Sequence, residues 1–178
     1  MKIENKKTWT TVFTLIAIDQ TIKIVINNNF FDKRLPIIPP LLYFEPMFNR
    51  NYSWFNSMLQ LAVGKWIHVI VVGIMSILIY LFYQFLNKKI GINKIINIMF
   101  AFLFSGAICS MIDKVFWNGS LDYILVNGFF TFDLKDVYID IFIGVLTFSM
   151  ILNNKVIKPL DNDNLFKDFT RYIFGNKN

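Results

Sequence analysis

Long apolar runs alternate with short polar punctuation along this chain. Thr8 to Ile26 is the first run, Trp66 to Leu86 the second, Ile95 to Trp117 the third and Leu134 to Leu152 the fourth. At about 1.5 Å of rise per helical residue, a run of roughly 20 residues covers a hydrocarbon core of about 30 Å. Four membrane-spanning helices are therefore expected, the fourth shorter than the second and third and starting among charged residues. Gly91, between Asn87 and Asn93, marks a tight connection between spans two and three. The segment 27–65 breaks the pattern. Pro36, Pro39, Pro40 and Pro46 interrupt Tyr43, Phe44, Tyr52, Trp54 and Phe55, so this long apolar loop is expected to lie on the bilayer surface, with short strand pairing, and to roof a site as a small β cradle. In the tail, Leu165, Phe166, Phe169, Ile173 and Phe174 recur at helical spacing opposite Lys167, Asp168 and Arg171. That spacing predicts a surface-lying amphipathic helix. The domain plan is then a four-helix membrane unit over 1–152 and a tail over 153–178.

Composition agrees with this plan. Of 178 residues, 55% are hydrophobic and 17% aromatic, and the mean hydropathy is +0.48, which excludes an ordinary soluble domain. The single cysteine, Cys109, excludes an intrachain disulfide and a cysteine-based metal site, and the single histidine, His68, reads as a core or interface residue. The first run is not a cleaved leader, because Asp19 and Lys23 lie inside it and Asn27-Asn28-Asn29 follows in place of small residues.

The net charge of +6 is spread along the edges of the apolar runs, so it reports topology and no nucleic-acid partner is expected. Lys2, Lys6, Lys7, Lys88, Lys89, Lys94, Lys155, Lys158, Lys167, Arg171 and Lys177 fall on one side, with Glu4, Asp161, Asp163 and Asp168. The other side carries six basic and seven acidic residues. Both termini are thus expected in the cytoplasm.

Ionisable residues at a membrane boundary are costly, and each needs a reason. Asp19 and Lys23 are four apart on one helical face, which an internal ion pair explains. Ser105-Gly106-Ala107 and Cys109-Ser110 read as a close helix approach. Asp133 and Asp136 stand where a helix N-terminus takes carboxylates, and capping accounts for one of them. It leaves Asp122 unexplained, and also Asp140, which repeats an acid on the face of Asp136. Two carboxylates close enough to share a proton are the machinery of an aspartic protease, because repulsion keeps one neutral while the other stays ionised.

Those residues fall into ordered motifs. Asp19-Gln20-Thr21-Ile22-Lys23 fits D-x-x-x-K; Arg50-Asn51-Tyr52-Ser53-Trp54-Phe55 is similar to R-N-x-G-A-A-F; Ser105-Gly106-Ala107 through Ser110-Met111-Ile112-Asp113-Lys114 is similar to G-G-A-x-G-N-x-x-D-R. Gly119-Ser120-Leu121-Asp122-Tyr123 is similar to G-x-V-x-D-[FM], and Phe132-Asp133-Leu134-Lys135-Asp136 to F-N-x-A-D. From about Thr8 to Leu152 the chain resembles the lipoprotein signal peptidases, or signal peptidase II, bacterial four-helix membrane aspartic peptidases.

The resemblance implies Asp122 and Asp136 as the catalytic pair, with Asp19, Lys23, Asn51, Ser110, Asp113, Lys114 and Asp133 as substrate-binding or supporting residues. It implies a diacylglyceryl-modified prolipoprotein substrate, contact with membrane lipid, a monomer, and a place in the bacterial cytoplasmic membrane with the active site at the outer face. The chemistry needs neither metal nor cofactor. Four positions depart from the pattern: Ser110 for Asn, Lys114 for Arg, Asp133 for Asn and Lys135 for Ala. A lysine lacks the planar fork of arginine. Lys135 brings an ammonium beside the pair, where it would lower both carboxyls and oppose proton sharing unless Asp133 takes it up. These departures motivate the alternative of a paralogue that binds a lipopeptide, prolipoprotein or membrane partner without cutting it. The proton of the pair is assigned to neither aspartate, since such a pair titrates as a unit.

Overall fold

The computed structural model describes residues 2–91, 93–117, 119–152 and 164–175, with side chains not described for 2–5, Trp54 and Phe55. Lys155, Lys158, Asp161, Asp163 and Lys177, used above to orient the chain, lie outside the described residues. The protein is mostly helical with one small antiparallel sheet. Helix α1 covers Lys2–Asn29, α2 Trp54–Met58, α3 Lys65–Ile90, α4 Lys94–Ile112, α5 Leu134–Ile151 and α6 Leu165–Phe174. Strands β1 (Leu35–Ile38), β2 (Leu42–Asn49), β3 (Ser120–Val126) and β4 (Phe130–Phe132) pair in that order.

Three stretches among the described residues are long and apolar enough to cross a membrane: Lys6–Asn29, Lys65–Ile90 and Lys94–Trp117. Helix α5, with 18 residues, carries Lys135, Asp136 and Asp140 in its first turns and is not one of them. The connection between α3 and α4 follows from its residues. Gly91 takes φ +86° while its N–H bonds the Asn87 carbonyl, and the Asn93 side chain caps α4 by accepting from Ile95 N at 2.8 Å.

Below the sheet, Val12, Tyr83, Leu86, Phe100 and Phe104 form an aromatic-rich core between α1, α3 and α4. Outward faces stay apolar: Phe13, Trp66, Ile70 and Ile77 are each more than half exposed, as expected where lipid is the solvent. Helix α6 packs on α3 by an edge-on Phe169–Phe82 contact with 5.1 Å between centroids, and by Lys89–Asp168 at 2.6 Å.

Helices α4 and α5 meet closely at Gly106. A Cβ there would fall 2.7 Å from Ile139 Cγ1 and 3.1 Å from the Lys135 carbonyl oxygen, so only glycine permits this approach. Gly106→Val is expected to cost about 1–3 kcal/mol by overpacking and to displace the start of α5. Thermal unfolding in detergent checks this against Gly144→Val, where no atom lies within 4 Å of the added Cβ. Equal losses in the two variants would mean that the close approach at Gly106 does not set the effect.

The sheet extends beyond the expected cradle. Strand pairing was expected in 27–65, yet half of the sheet comes from 120–132. Period-two alternation is the reason: Leu121 and Tyr123 pack on Ile26, leaving Ser120 and Asp122 on the opposite face. Asn127-Gly128 turns the chain into β4, with Gly128 at φ +80°.

Candidate active site

Asp122 is held by strand pairing. Across β2 and β3 the register pairs Met47 with Asp122 and Asn49 with Ser120, while Phe44 pairs with Ile124. Glu45 and Pro46 therefore stand opposite Tyr123 alone, a bulge at the one residue that lacks an N–H. One extra residue reverses the alternation of β2 and puts Asn49 on the face of Ser120 and Asp122. Asn49 Nδ2 consequently reaches Asp122 Oδ2 at 3.4 Å, steadied by Asn51 N donating to Asn49 Oδ1 at 3.1 Å.

Asp136 is held by a helix start. The Asp133 side chain accepts from Asp136 N at 3.4 Å, and Asp136 Oδ2 accepts from Asp133 N at 3.2 Å. This reciprocal capping box involves both carboxylates, one more than the sequence argument assigned to capping. Asp136 keeps a 41% exposed side chain, whereas that of Asp122 is 6% exposed. One carboxylate oxygen from each of Asp122, Asp133 and Asp136 lies within 4.8 Å of the others.

Such a triplet has the donor set of a cation site. Its cation is part of the chain: Lys135 Nζ stands 2.6 Å from Asp133 Oδ2, 3.4 Å from Asp122 Oδ1 and 3.7 Å from Asp136 Oδ2. It also donates to Ser120 Oγ at 2.6 Å. Ser120 has three carboxylate oxygens for its single proton, Asp122 Oδ1 at 2.6 Å, Asp113 Oδ2 at 3.1 Å and Asp133 Oδ2 at 3.5 Å, of which Asp122 is the nearest.

A second ammonium lies directly behind. Lys23 is fully buried and touches Asp19 Oδ2 at 3.0 Å, Asp113 Oδ2 at 2.7 Å and Asp133 Oδ2 at 2.7 Å, so each of its three N–H bonds has a carboxylate. The pairing with Asp19 is the one expected from i,i+4 spacing; those with Asp113 and Asp133 join α1 to the end of α4 and the start of α5. Gln20 extends the network, donating to Asp19 Oδ2 at 2.9 Å while its carbonyl accepts from Trp117 Nε1 at 3.0 Å. A π-helical turn, Asp113–Trp117, aims Asp113 and Lys114 inward. Lys114 bonds Ser110 Oγ at 2.7 Å and lines the cleft.

Asn51 is placed differently from the other expected site residues. Its side chain is exposed and bonds Ser57 Oγ at 3.1 Å, so Asn49 is the amide that reaches Asp122. Asn49 and Ser120 were absent from the expected set. Their signal was the two-residue spacing of Ser120 from Asp122, readable only once 120–126 is taken as a strand.

Burial pushes the Asp122 carboxyl above the ordinary aspartate range, against the opposing pull of Lys135. Burial would raise Asp133 as well, but Lys135 and Lys23 hold it below that range. Asp133 is thus the fixed charge of the cluster. Asp122 and Asp136 face a cavity of about 970 Å³, walled by Ile67, Val71 and Val72 of α3 and Ile139 of α5. The arrangement can activate a water at one end of an apolar cleft.

Comparison with known proteins bears on the fold and the family. A solved bacterial membrane enzyme shares the fold with a TM-score of 0.66 and 19% identity, over 84% of this chain and 90% of that one. A second gives 0.62 and 19%, over 82% and 92%. The lipoprotein signal peptidase of Listeria monocytogenes serotype 4b is 25% identical over 151 residues, which is 82% of this chain and 94% of the relative. That of Listeria innocua is 24% identical over the same shares. The family model for signal peptidase II matches residues 11–152, a span holding both aspartates and every residue of their network, and the chain belongs to that family of lipoprotein-processing membrane proteases.

Proposed function

We propose that this chain is an aspartic endopeptidase that removes signal peptides from diacylglyceryl-modified prolipoproteins. The observation that carries the reading is the pair Asp122 and Asp136, with oxygens within 4.8 Å, at the end of an apolar cleft of about 970 Å³. A water held between them gives its proton to the ionised carboxylate as it attacks the scissile carbonyl. The neutral partner polarises that carbonyl and then protonates the leaving amine. The apolar wall of α3 suits acyl chains arriving laterally from the membrane. In this reading α5 is a fourth span, both termini are cytoplasmic, and the dyad lies at the outer face of the cytoplasmic membrane of a monomer. Exposed Phe116 and Phe129 then sit at headgroup level.

One observation favours the alternative paralogue that binds without cutting. The Lys135 ammonium lies 3.4 and 3.7 Å from the two dyad carboxylates, where it opposes proton sharing. Incubating the purified chain with a lipidated prolipoprotein separates the readings. Signal-peptide release that is lost in Asp122→Asn and Asp136→Asn supports the peptidase, and binding with no release by the unaltered chain supports the paralogue.

A pH profile adds a second check. The dyad works while it holds one proton, and the alkaline limb of kcat/KM marks the loss of that proton. Because burial raises the Asp122 carboxyl, the acid limb, on which the dyad gains its second proton, is expected above the ordinary carboxylate range. An acid limb inside that range would argue against a buried dyad.

A further inference from the structure

Lys135 is the residue of this site that family membership does not explain, since the motif at its position carries alanine. The residue is 6% exposed, and its ammonium lies among the carboxylates of Asp113, Asp122, Asp133 and Asp136, at 3.5, 3.4, 2.6 and 3.7 Å. A lysine that only neutralised Asp133 would need one of these contacts. Two of the others, at Asp122 and Asp136, connect it to the dyad, and unequally.

Toward Asp122 it acts twice, directly at 3.4 Å and through Ser120, whose hydroxyl is 2.6 Å from both Lys135 Nζ and Asp122 Oδ1. Toward Asp136 it acts once, at 3.7 Å, and no serine stands between. We propose that Lys135 is a positioning residue that makes the dyad asymmetric: directly and through Ser120 it holds the Asp122 carboxylate charged, so that Asp122 takes the proton of the water and Asp136 supplies one to the leaving amine.

The surroundings of Asp122 favour this sign. Asn49 of β2 is neutral, and Lys114 of the π-helical turn is bonded to Ser110. Asp113 and Asp133 add negative charge, but both are bound by Lys23, which also binds Asp19. Lys135 is therefore the cation that reaches Asp122 within 4 Å. Burial favours a neutral Asp122 and is the larger influence, and the lysine with its serine relay pulls the other way. Asp133 makes the arrangement possible, because it anchors the ammonium at 2.6 Å without belonging to the dyad.

The inference rests on the peptidase reading for its catalytic meaning, and its test has a readout that needs no turnover. The full chain in lipid nanodiscs, with isotope-labelled aspartate, is titrated by infrared spectroscopy, and the Asp122 carboxyl band is identified by its loss in Asp122→Asn. Lys135→Met is expected to raise the titration midpoint of Asp122 by about one pH unit or more, the size of effect of a close opposite charge. Lys135→Arg should restore it, and Ser120→Ala should shift it the same way by less. The pH–rate profile for a lipidated prolipoprotein should move to higher pH with the band. If Lys135→Met does not fold, Ser120→Ala decides. An Asp122 midpoint unmoved by both substitutions, or a shift of Asp136 alone, overturns the proposal. Absence of cleavage by the unaltered chain, with the Asp122 shift present, would defeat the peptidase reading and leave the hold of Lys135 on Asp122 supported.

Discussion

Asp122→Asn is expected to lower the rate of signal-peptide release by about 10³-fold or more while the protein stays folded. Asparagine keeps the shape of the side chain and an oxygen for Ser120 Oγ, now 2.6 Å away. It removes the charge that a general base needs, and general acid–base groups contribute roughly 10²–10⁴-fold each. The fold should survive for a specific reason. Lys135 keeps Asp133 at 2.6 Å, so losing the Asp122 charge strands no ammonium. One buried carboxylate the fewer also eases a cluster in which Asp19, Asp113, Asp122, Asp133 and Asp136 outnumber Lys23, Lys114 and Lys135. The unfolding midpoint of Asp122→Asn is therefore expected at or above that of the unaltered chain, a separation of activity from stability that a purely structural aspartate would not give. Rates and midpoints measured on the same preparation decide it: residual cleavage within about tenfold would remove Asp122 from the chemistry.

Much of this site was legible along the chain, for reasons that differ residue by residue. Asp19 and Lys23 could be paired because a helix brings residues four apart onto one face. Asp133 could be placed at a cap because backbone N–H groups at a helix start lack partners. The row around Gly106 could be read as a close approach, and Ile139 is the side chain it meets. Asn49 was hidden for a physical reason. Its facing depends on a bulge at Glu45 and Pro46 that changes the parity of β2, and no local pattern shows which side of a bulge a side chain will take. The strand 120–126 was hidden because Ser120 and Asp122 look like a polar loop until Leu121 and Tyr123 are seen packing on Ile26. The most consequential residue, Lys135, was visible as a departure. What the sequence could not supply was its set of partners, since an ammonium between Asp113, Asp122, Asp133 and Asp136 is assembled from three elements of the fold, the π-helical turn, β3 and the capped start of α5.

Lys23→Met is expected to be the most destabilising single substitution in the site. Lys23 has no exposed surface, and its three N–H bonds end on Asp19, Asp113 and Asp133 at 2.7–3.0 Å. Methionine fills most of the volume and supplies no charge, so three buried carboxylates are left with Lys135, which reaches Asp133 at 2.6 Å and Asp113 only at 3.5 Å. Removing one partner of a buried ion pair costs about 3–5 kcal/mol, most of it the stranded charge. The same logic predicts a partial rescue. Asp19→Asn added to Lys23→Met removes one stranded charge and should recover about 1–3 kcal/mol, the coupling expected between residues in contact. Unfolding in mixed micelles measures both variants, and a Lys23→Met loss under about 1 kcal/mol would mean that the cluster tolerates its charges through water or protons, not through this lysine. Because Lys23 ties α1 to the residues on either side of Ser120 and Asp122, cleavage should fall in Lys23→Met even at temperatures where it remains folded. The double variant should regain stability ahead of rate: Asp19 lies behind Lys23, and restoring its neutrality returns nothing to the positions of Asp113 and Asp133 at the dyad.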